Sequence, residues 1–389
     1  MKFPHRLQRQ LEARAQNGTQ RSLKTVAPDL VDFSSNDYLG LARSEKLANL
    51  VLEEVAGFPA HGATGSRLLS GNSQYAQELE GSIAAFHHAE AALLFNSGYA
   101  ANTGFFSSVP QRGDTIFYDE ASHASIKDGI RLSFAQSFAF RHNDLEDLKA
   151  KLTRAQGDVY VAVESLYSMD GDFAPLQELA VFCQEKGLYL VVDEAHSNGL
   201  YGPHGAGLVS SLGLEDQVFA RIMTFGKALG CHGAAMVGSK QLQQFLLNFS
   251  RPFIYTTALP LTSLAAIKMA YALLPTVEKE RKKVHALAGF YQRLKMTSVF
   301  GLISENEPEN SPIQAWHLPD PVALKDVSSQ LQHAGFDVRP VFSPAVPAGK
   351  ERLRLVLHAY NTTEQVQELW NLLTLRTPNA TSSPALAQT

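Results

Sequence analysis

Two features of this 389-residue chain predict an α/β fold built on a mostly parallel sheet. Short apolar runs alternate with helix-periodic segments from Tyr75 to Thr224, the pattern of strands covered by helices on both faces. Polar residues gather just after those runs, beyond the carboxyl ends of the strands, where open sheets of this kind bind ligands.

In chain order, residues 1–24 read as an exposed amphipathic helix followed by a loop, and 32–40 (DFSSNDYLG) as an irregular stretch dense in hydrogen-bonding side chains. Residues 62–71 form a second permissive, Gly-rich loop. Helices are predicted at 77–87, 145–154 and 175–185, and strands at 91–95, 115–118, 137–140, 159–163, 188–192 and 220–224. Residues 96–102 (NSGYAAN) turn from a strand straight into a helix, an arrangement that aims free backbone N–H groups at a phosphate.

Composition narrows the function. With 45% hydrophobic residues, 19% charged residues and a formal net charge of -4, the chain suits a globular protein of one large and one smaller domain. No basic stripe marks a nucleic-acid binder. Cys183 and Cys231 are too few and too far apart for a disulfide framework, which fits a reducing cytoplasm. No signal peptide or run of 18 apolar residues is present, so no membrane partner is expected. The small, polar, proline-containing tail at 377–389 reads as disordered.

The strand ends carry the chemistry. Ser97, Gly98 and Tyr99 follow the first strand; Asp119 and His123, Glu164 and Ser168, Asp193 and His196, then Thr224 and Lys227 follow later ones. Lys227 stands in a glycine-flanked turn among small and apolar neighbours. Taken alone it is equally a surface lysine, but a desolvated amine becomes nucleophilic and suits Schiff-base chemistry. Asp193 on another strand end supplies the carboxylate that keeps a pyridine nitrogen protonated, so the pair points to pyridoxal 5'-phosphate (PLP). His196 is placed to reach the ring hydroxyl and His123 the ring face; Gly98, Tyr99 and Thr224 are placed to hold the phosphate. The DEAH string at 193–196 lacks a P-loop, so it does not mark a helicase. Neither the His87-His88 pair nor Cys231-His232 has a second ligand pair, and no metal site is expected.

These motifs resemble the α-oxoamine synthases. The likeness runs from about Leu7 to Leu375 through FSSNDYLG (33–40), GATGSRLLSGN (62–72), LLFNSGYAAN (93–102), SHAS (122–125), YSMDGD (167–172), VVDEAHSNGLYGPHGAG (191–207), TFGKALG (224–230), IYTTALP (254–260) and RPVFSPAVPAGKERLRLVLHA (339–359). It implies the fold type I of PLP-dependent transferases, a seven-stranded sheet sandwiched by helices. Residues 45–275 would form the large domain, and 1–44 would join 276–376 in a smaller α+β domain.

The resemblance makes Lys227 the Schiff-base lysine and proton-transfer base, Asp193 the partner of the pyridine nitrogen, and His123 the stacking residue. His196 and Ser168 would contact the cofactor's oxygen side. Thr256 and Thr257 would complete the phosphate site from the neighbouring subunit of a homodimer. Arg354 would bind the amino-acid carboxylate, with Arg21 and Asn36 also on the substrate side. The implied reaction is decarboxylative condensation of L-alanine with a pimeloyl group on CoA or acyl carrier protein, in biotin biosynthesis. The FGKALG-x-x-GAA form (225–235) and the RPVFSPAVPAGKERLRL stretch (339–355) favour that branch. A short 22–33 segment and Ala345, where threonine is common, depart from it. Glycine C-acetyltransferase, 5-aminolevulinate synthase and serine palmitoyltransferase share the machinery. A non-catalytic scaffold subunit would be expected to lose Lys227.

Overall fold

The computed structural model describes residues 3–16, 19–23, 25, 29–300, 310–318 and 320–376; the expected disordered tail lies outside them. The described chain divides into two compact units. The larger comprises Asn36–Ser168 and Asp172–Lys282; the smaller comprises the residues before Asn36, Met169–Gly171 and those from Lys283 onward.

These borders differ from the expected 44/45 and 275/276, and packing explains why. Tyr38, Leu39 and Leu41 are buried in the larger unit. The backbone of Ala42 approaches Gly230 so closely that a Cβ there would lie 2.2 Å from the Ala42 nitrogen. At the other border, buried Arg281 donates to the carbonyls of Gly199, His204 and Leu274, which fastens the start of the helix Glu278–Phe300. Met169–Gly171 falls in the smaller unit because Asp170 pairs with buried Arg352 and Gly171 abuts the Ile313 carbonyl.

In the larger unit, strands β1 (Ala91–Phe95), β2 (Thr115–Asp119), β3 (Gln136–Phe140), β4 (Val159–Glu164), β5 (Tyr189–Asp193), β6 (Ala220–Thr224) and β7 (Ala234–Gly238) form one sheet in the order β1-β7-β6-β5-β4-β2-β3. All but β7 run the same way. Adjacent residues pack on opposite faces. Ile116, Ala162 and Val191 join one core with Phe105 and Phe106, whereas Phe117, Val161 and Val192 join another with Leu179 and Phe182. Both faces are therefore dry, and the period-two pleat accounts for the apolar runs.

β7 is absent from the strands predicted above. Its AAMVG sequence carries little β signal, and its place is set by pairing Thr224 with Ala234. The short link between them cannot hold a helical crossover, so the strand returns antiparallel. The covering helices begin where Ser73, Ser97, Asp144 and Ser239 cap free N–H groups.

The smaller unit has a three-stranded antiparallel sheet of Arg339–Val341, Arg352–Val356 and Ile313–His317. Helices Pro321–His333 and Thr363–Arg376 contribute Leu331, Leu369 and Trp370 to its core. Val31–Asp32 pairs parallel with Phe336–Asp337. The helix His5–Gln16 buries none of its residues.

Candidate active site

Because β1, β2, β4, β5 and β6 run parallel, their carboxyl ends share one rim. Lys227 lies in the tight link after β6, where Phe225 N–H donates to the Gly233 carbonyl and Cys231 N–H to the Phe225 carbonyl. Phe225, Ala228 and Leu229 are buried around it while the lysine is half-buried. The apolar neighbours hold the loop, and the amine reaches out of it.

Lys227 Nζ lies 2.8 Å from His196 Nε2, and Tyr38 Oη lies 2.6 Å from His196 Nδ1. Tyr38 in turn donates to Asn36 Oδ1 at 3.4 Å. Both nitrogens of a buried imidazole are thus engaged, which fixes its ring beside the amine. Asp193, at the end of β5, is 5% exposed. Its Oδ1 accepts from Ala195 N–H at 2.9 Å and its Oδ2 from Asn102 Nδ2 at 2.6 Å.

Glu164 ends β4 and is the register partner of Asp193. Burial, reinforced by the Asp193 charge, pushes its carboxyl up to about 8. It accepts the backbone N–H of His123 at 2.6 Å. His123 is exposed, and its Nδ1 accepts from Ser125 N–H at 3.2 Å. Desolvation by the surrounding walls lowers its pKa, and the Lys227 charge adds to this against the opposing pull of Asp193.

The expected phosphate cradle has a steric signature. A Cβ on Gly98 would sit 2.3 Å from Thr224 Cγ2, so β6 can approach the start of the helix Gly98–Ser108 only at a glycine. Ser97 caps that helix through Ala100 N–H, while the N–H groups of its first turn have no intrahelical acceptor. The Tyr99 hydroxyl donates to Asp128, which holds that side chain against the helix Ala124–Leu132. Within the same chain, Asn96 Nδ2 donates to Thr256 Oγ1 at 3.3 Å and to the Thr257 carbonyl at 2.9 Å.

Ser168 stands in a hairpin whose base is the Leu166–Phe173 bridge. His142 secures that base: its Nδ1 lies 2.8 Å from Asp119 and its Nε2 2.5 Å from Asp172. Arg354 is half-buried on the central strand of the smaller sheet and Arg21 is exposed in the same unit. Asn36 belongs to the larger unit, through Tyr38. His87, one of the metal-like pair, is buried with Nδ1 against the Ala206 carbonyl and Nε2 against Tyr271 Oη, a neutral core histidine.

Lys227, His196, Asp193, His123, Gly98, Tyr99, Thr224 and Ser168 all fall within the larger unit. Four further residues join them: Tyr38, Asn102, Ser125 and Glu164, the last already marked by its place at a strand end. Three lie inside motifs already quoted, and their polar character at buried positions was the available signal. The donor set fits PLP: an amine, an anchored buried carboxylate, and a glycine-lined helix start beside a threonine.

Comparison with known proteins agrees. The aminotransferase class I and II family model matches residues 28–373. The chain is 41% identical to 8-amino-7-oxononanoate synthase of Emericella nidulans, covering 93% of each. Among solved structures, serine palmitoyltransferase of Sphingomonas wittichii superposes with TM-score 0.86 at 29% identity, covering 98% of each chain. The 8-amino-7-oxononanoate synthase of Francisella tularensis superposes with TM-score 0.77 at 27% identity, covering 90% of this chain and 99% of that one.

Proposed function

The chain belongs to the aminotransferase class I and II family, and on that premise we propose that it joins L-alanine to a pimeloyl thioester. The products are 8-amino-7-oxononanoate, the free thiol and carbon dioxide. It is a PLP-dependent acyltransferase of the 8-amino-7-oxononanoate synthase type, acting in biotin biosynthesis. The observation that carries the reading is the Lys227–His196 contact beside the Asn102-anchored Asp193.

Bound at this rim, PLP supplies an electron sink that stabilises negative charge on the carbon bearing the substrate amine. Lys227 would hold the cofactor's carbonyl carbon covalently at rest and, once displaced, take the alanine Cα proton on Nζ. Asp193, held by two donors, would keep the ring nitrogen protonated. His196 and Ser168 would engage the oxygen side, and Gly98, Tyr99 and Thr224 the phosphate. His123 would lie over the ring and orient substrate oxygens, and Arg354 would clamp the alanine carboxylate, a role suited to a bidentate guanidinium. Arg21 and Asn36 are assigned to the substrate side on the motif resemblance alone. Lys227 would return a proton to Cα after carbon dioxide has left.

A homodimer is part of this reading, with Thr256 and Thr257 reaching the partner's phosphate site. Leu69 and Tyr255, 85% and 72% exposed, lie in the motif segments 62–72 and 254–260 and give such an interface apolar contacts. Sedimentation should return twice the chain mass.

The deciding experiment offers L-alanine, glycine or L-serine with pimeloyl-CoA, acetyl-CoA or palmitoyl-CoA and follows thiol release and product mass. Alanine with pimeloyl-CoA should be the fastest pair. The high likeness to serine palmitoyltransferase favours a second reading, which faster turnover of serine with palmitoyl-CoA would establish instead.

A further inference from the structure

The hydrogen bonds behind the cofactor rim have a direction, and it can be followed from one carboxylate to one imidazole. Asp193 accepts at Oδ2 from Asn102 across 2.6 Å. A carboxylate only accepts, so the Asn102 amide must face it with nitrogen; reversed, two oxygens would meet. The second N–H of that nitrogen donates to Ser125 Oγ at 3.0 Å. Ser125 Oγ already accepts there, and its own proton has a neighbour 2.7 Å away at His123 Nδ1. That nitrogen also receives the Ser125 backbone N–H at 3.2 Å. An imidazole nitrogen that accepts from both carries no proton of its own.

We propose that Asn102 and Ser125 are positioning residues that transmit the polarity of Asp193 to His123 and hold it as the neutral tautomer protonated on Nε2. Three features agree. Asn102 and Ser125 are each 1% exposed, so water does not compete for these bonds. Asn102 Oδ1 is buried without a partner among the described residues, so the amide's hydrogen bonds to Asp193 and Ser125 both run through its nitrogen. The His123 backbone is held from behind by Glu164, so the ring turns only about its own side-chain bonds. His123 then offers substrate oxygens a single N–H donor and no lone pair. It cannot compete with Lys227 as a base, and the Cα proton has one destination. This consequence rests on the synthase reading above; the tautomer itself does not.

The test is a long-range proton–nitrogen correlation spectrum of the PLP-loaded protein labelled with nitrogen-15 histidine, at pH 7 and without substrate. His123→Asn identifies the His123 signals by their loss. The wild type should show Nδ1 at the unprotonated position and Nε2 protonated. Ser125→Ala and Asn102→Ala should each raise the minor tautomer severalfold, and Ser125→Thr should restore the wild-type pattern. A wild-type His123 protonated on Nδ1, or doubly protonated, overturns the proposal, as does an unchanged pattern in both alanine variants. The wild-type spectrum decides by itself if a variant does not fold. In turnover, Ser125→Ala should lower kcat about tenfold with the cofactor still bound, and Ser125→Thr should recover most of it. Since the spectrum needs no substrate, failure of the synthase reading would show only in turnover.

Discussion

Two histidines at neighbouring strand ends, His123 and His142, show how the same side chain is built for different ends. His142 lies between Asp119 and Asp172, with the Tyr167 ring edge-on at 4.4 Å. Burial opposes its charge, but hydrogen bonds to the two carboxylates outweigh burial and lift its pKa to about 10. His123 faces the rim with Lys227 nearby, and desolvation there lowers its pKa. The first is a locked cation that ties the base of the Ser168 hairpin. The second has its charge disfavoured and stays exposed. A closed set of partners marks the structural histidine, and an open edge marks the one proposed to act on substrate.

The largest break in this contrast is expected from Lys227→Ala, which removes the amine of the open cluster and leaves the closed one intact. Turnover should fall about 1000-fold or more, while the denaturant midpoint stays near wild type. Product formation under single-turnover conditions checks the first part, and a midpoint lowered as far as that of a His142 variant would contradict the second.

His142→Ala should do the reverse. It leaves Asp119, fully buried, without its cation and should lower stability by about 3 kcal/mol. Sign matters for its pH dependence. A folded pKa of about 10 against 6.5 unfolded gives stabilisation fully present below pH 6.5 and lost as pH rises through 10. The stability difference between wild type and His142→Gln should therefore shrink across that window in urea titrations.

Gly98→Ala probes the cradle. Its added Cβ would meet Thr224 Cγ2 at 2.3 Å, and PLP affinity should fall about tenfold, or about 1.4 kcal/mol. Adding Thr224→Ser removes that methyl and should recover part of the loss. Fluorescence titration with PLP measures both, and no recovery would put the obstruction elsewhere.

Glu164 sharpens the boundary between the two clusters. Glu164 has its pKa raised to about 8 from 4.5, so the folded state binds its proton more tightly. Its contribution is fully present below pH 4.5 and lost as pH rises through 8. Glu164→Gln keeps the acceptor for His123 N–H and cannot ionise. It should gain stability relative to wild type as pH increases from 5 to 9, by thermal melts in matched buffers.

Much of this was legible in the chain because strand ends are local events. Apolar runs mark where strands stop, and the next residue falls on the rim, so Asp193, Thr224 and Lys227 could be placed from spacing alone. The motif likeness added the expectations of Arg354, Thr256 and a homodimer, which spacing does not reach. Strand β7 was not legible: its residues are small, and only pairing with β6 and β1 makes them a strand. Tyr38 and Asn102 escaped for a related reason. A tyrosine in a loop and an asparagine on a helix have no role until partners 158 and 91 residues away are brought beside them.

The sequence by itself determined the class of fold, the rim and the chemical character of the groups on it, because these follow from periodicity and residue type along a local stretch. Tertiary structure alone decided which groups are neutral and which charged, which nitrogen of an imidazole accepts, and where one unit gives way to the next. Those properties depend on desolvation and on distances of a few ångströms between segments far apart in the chain.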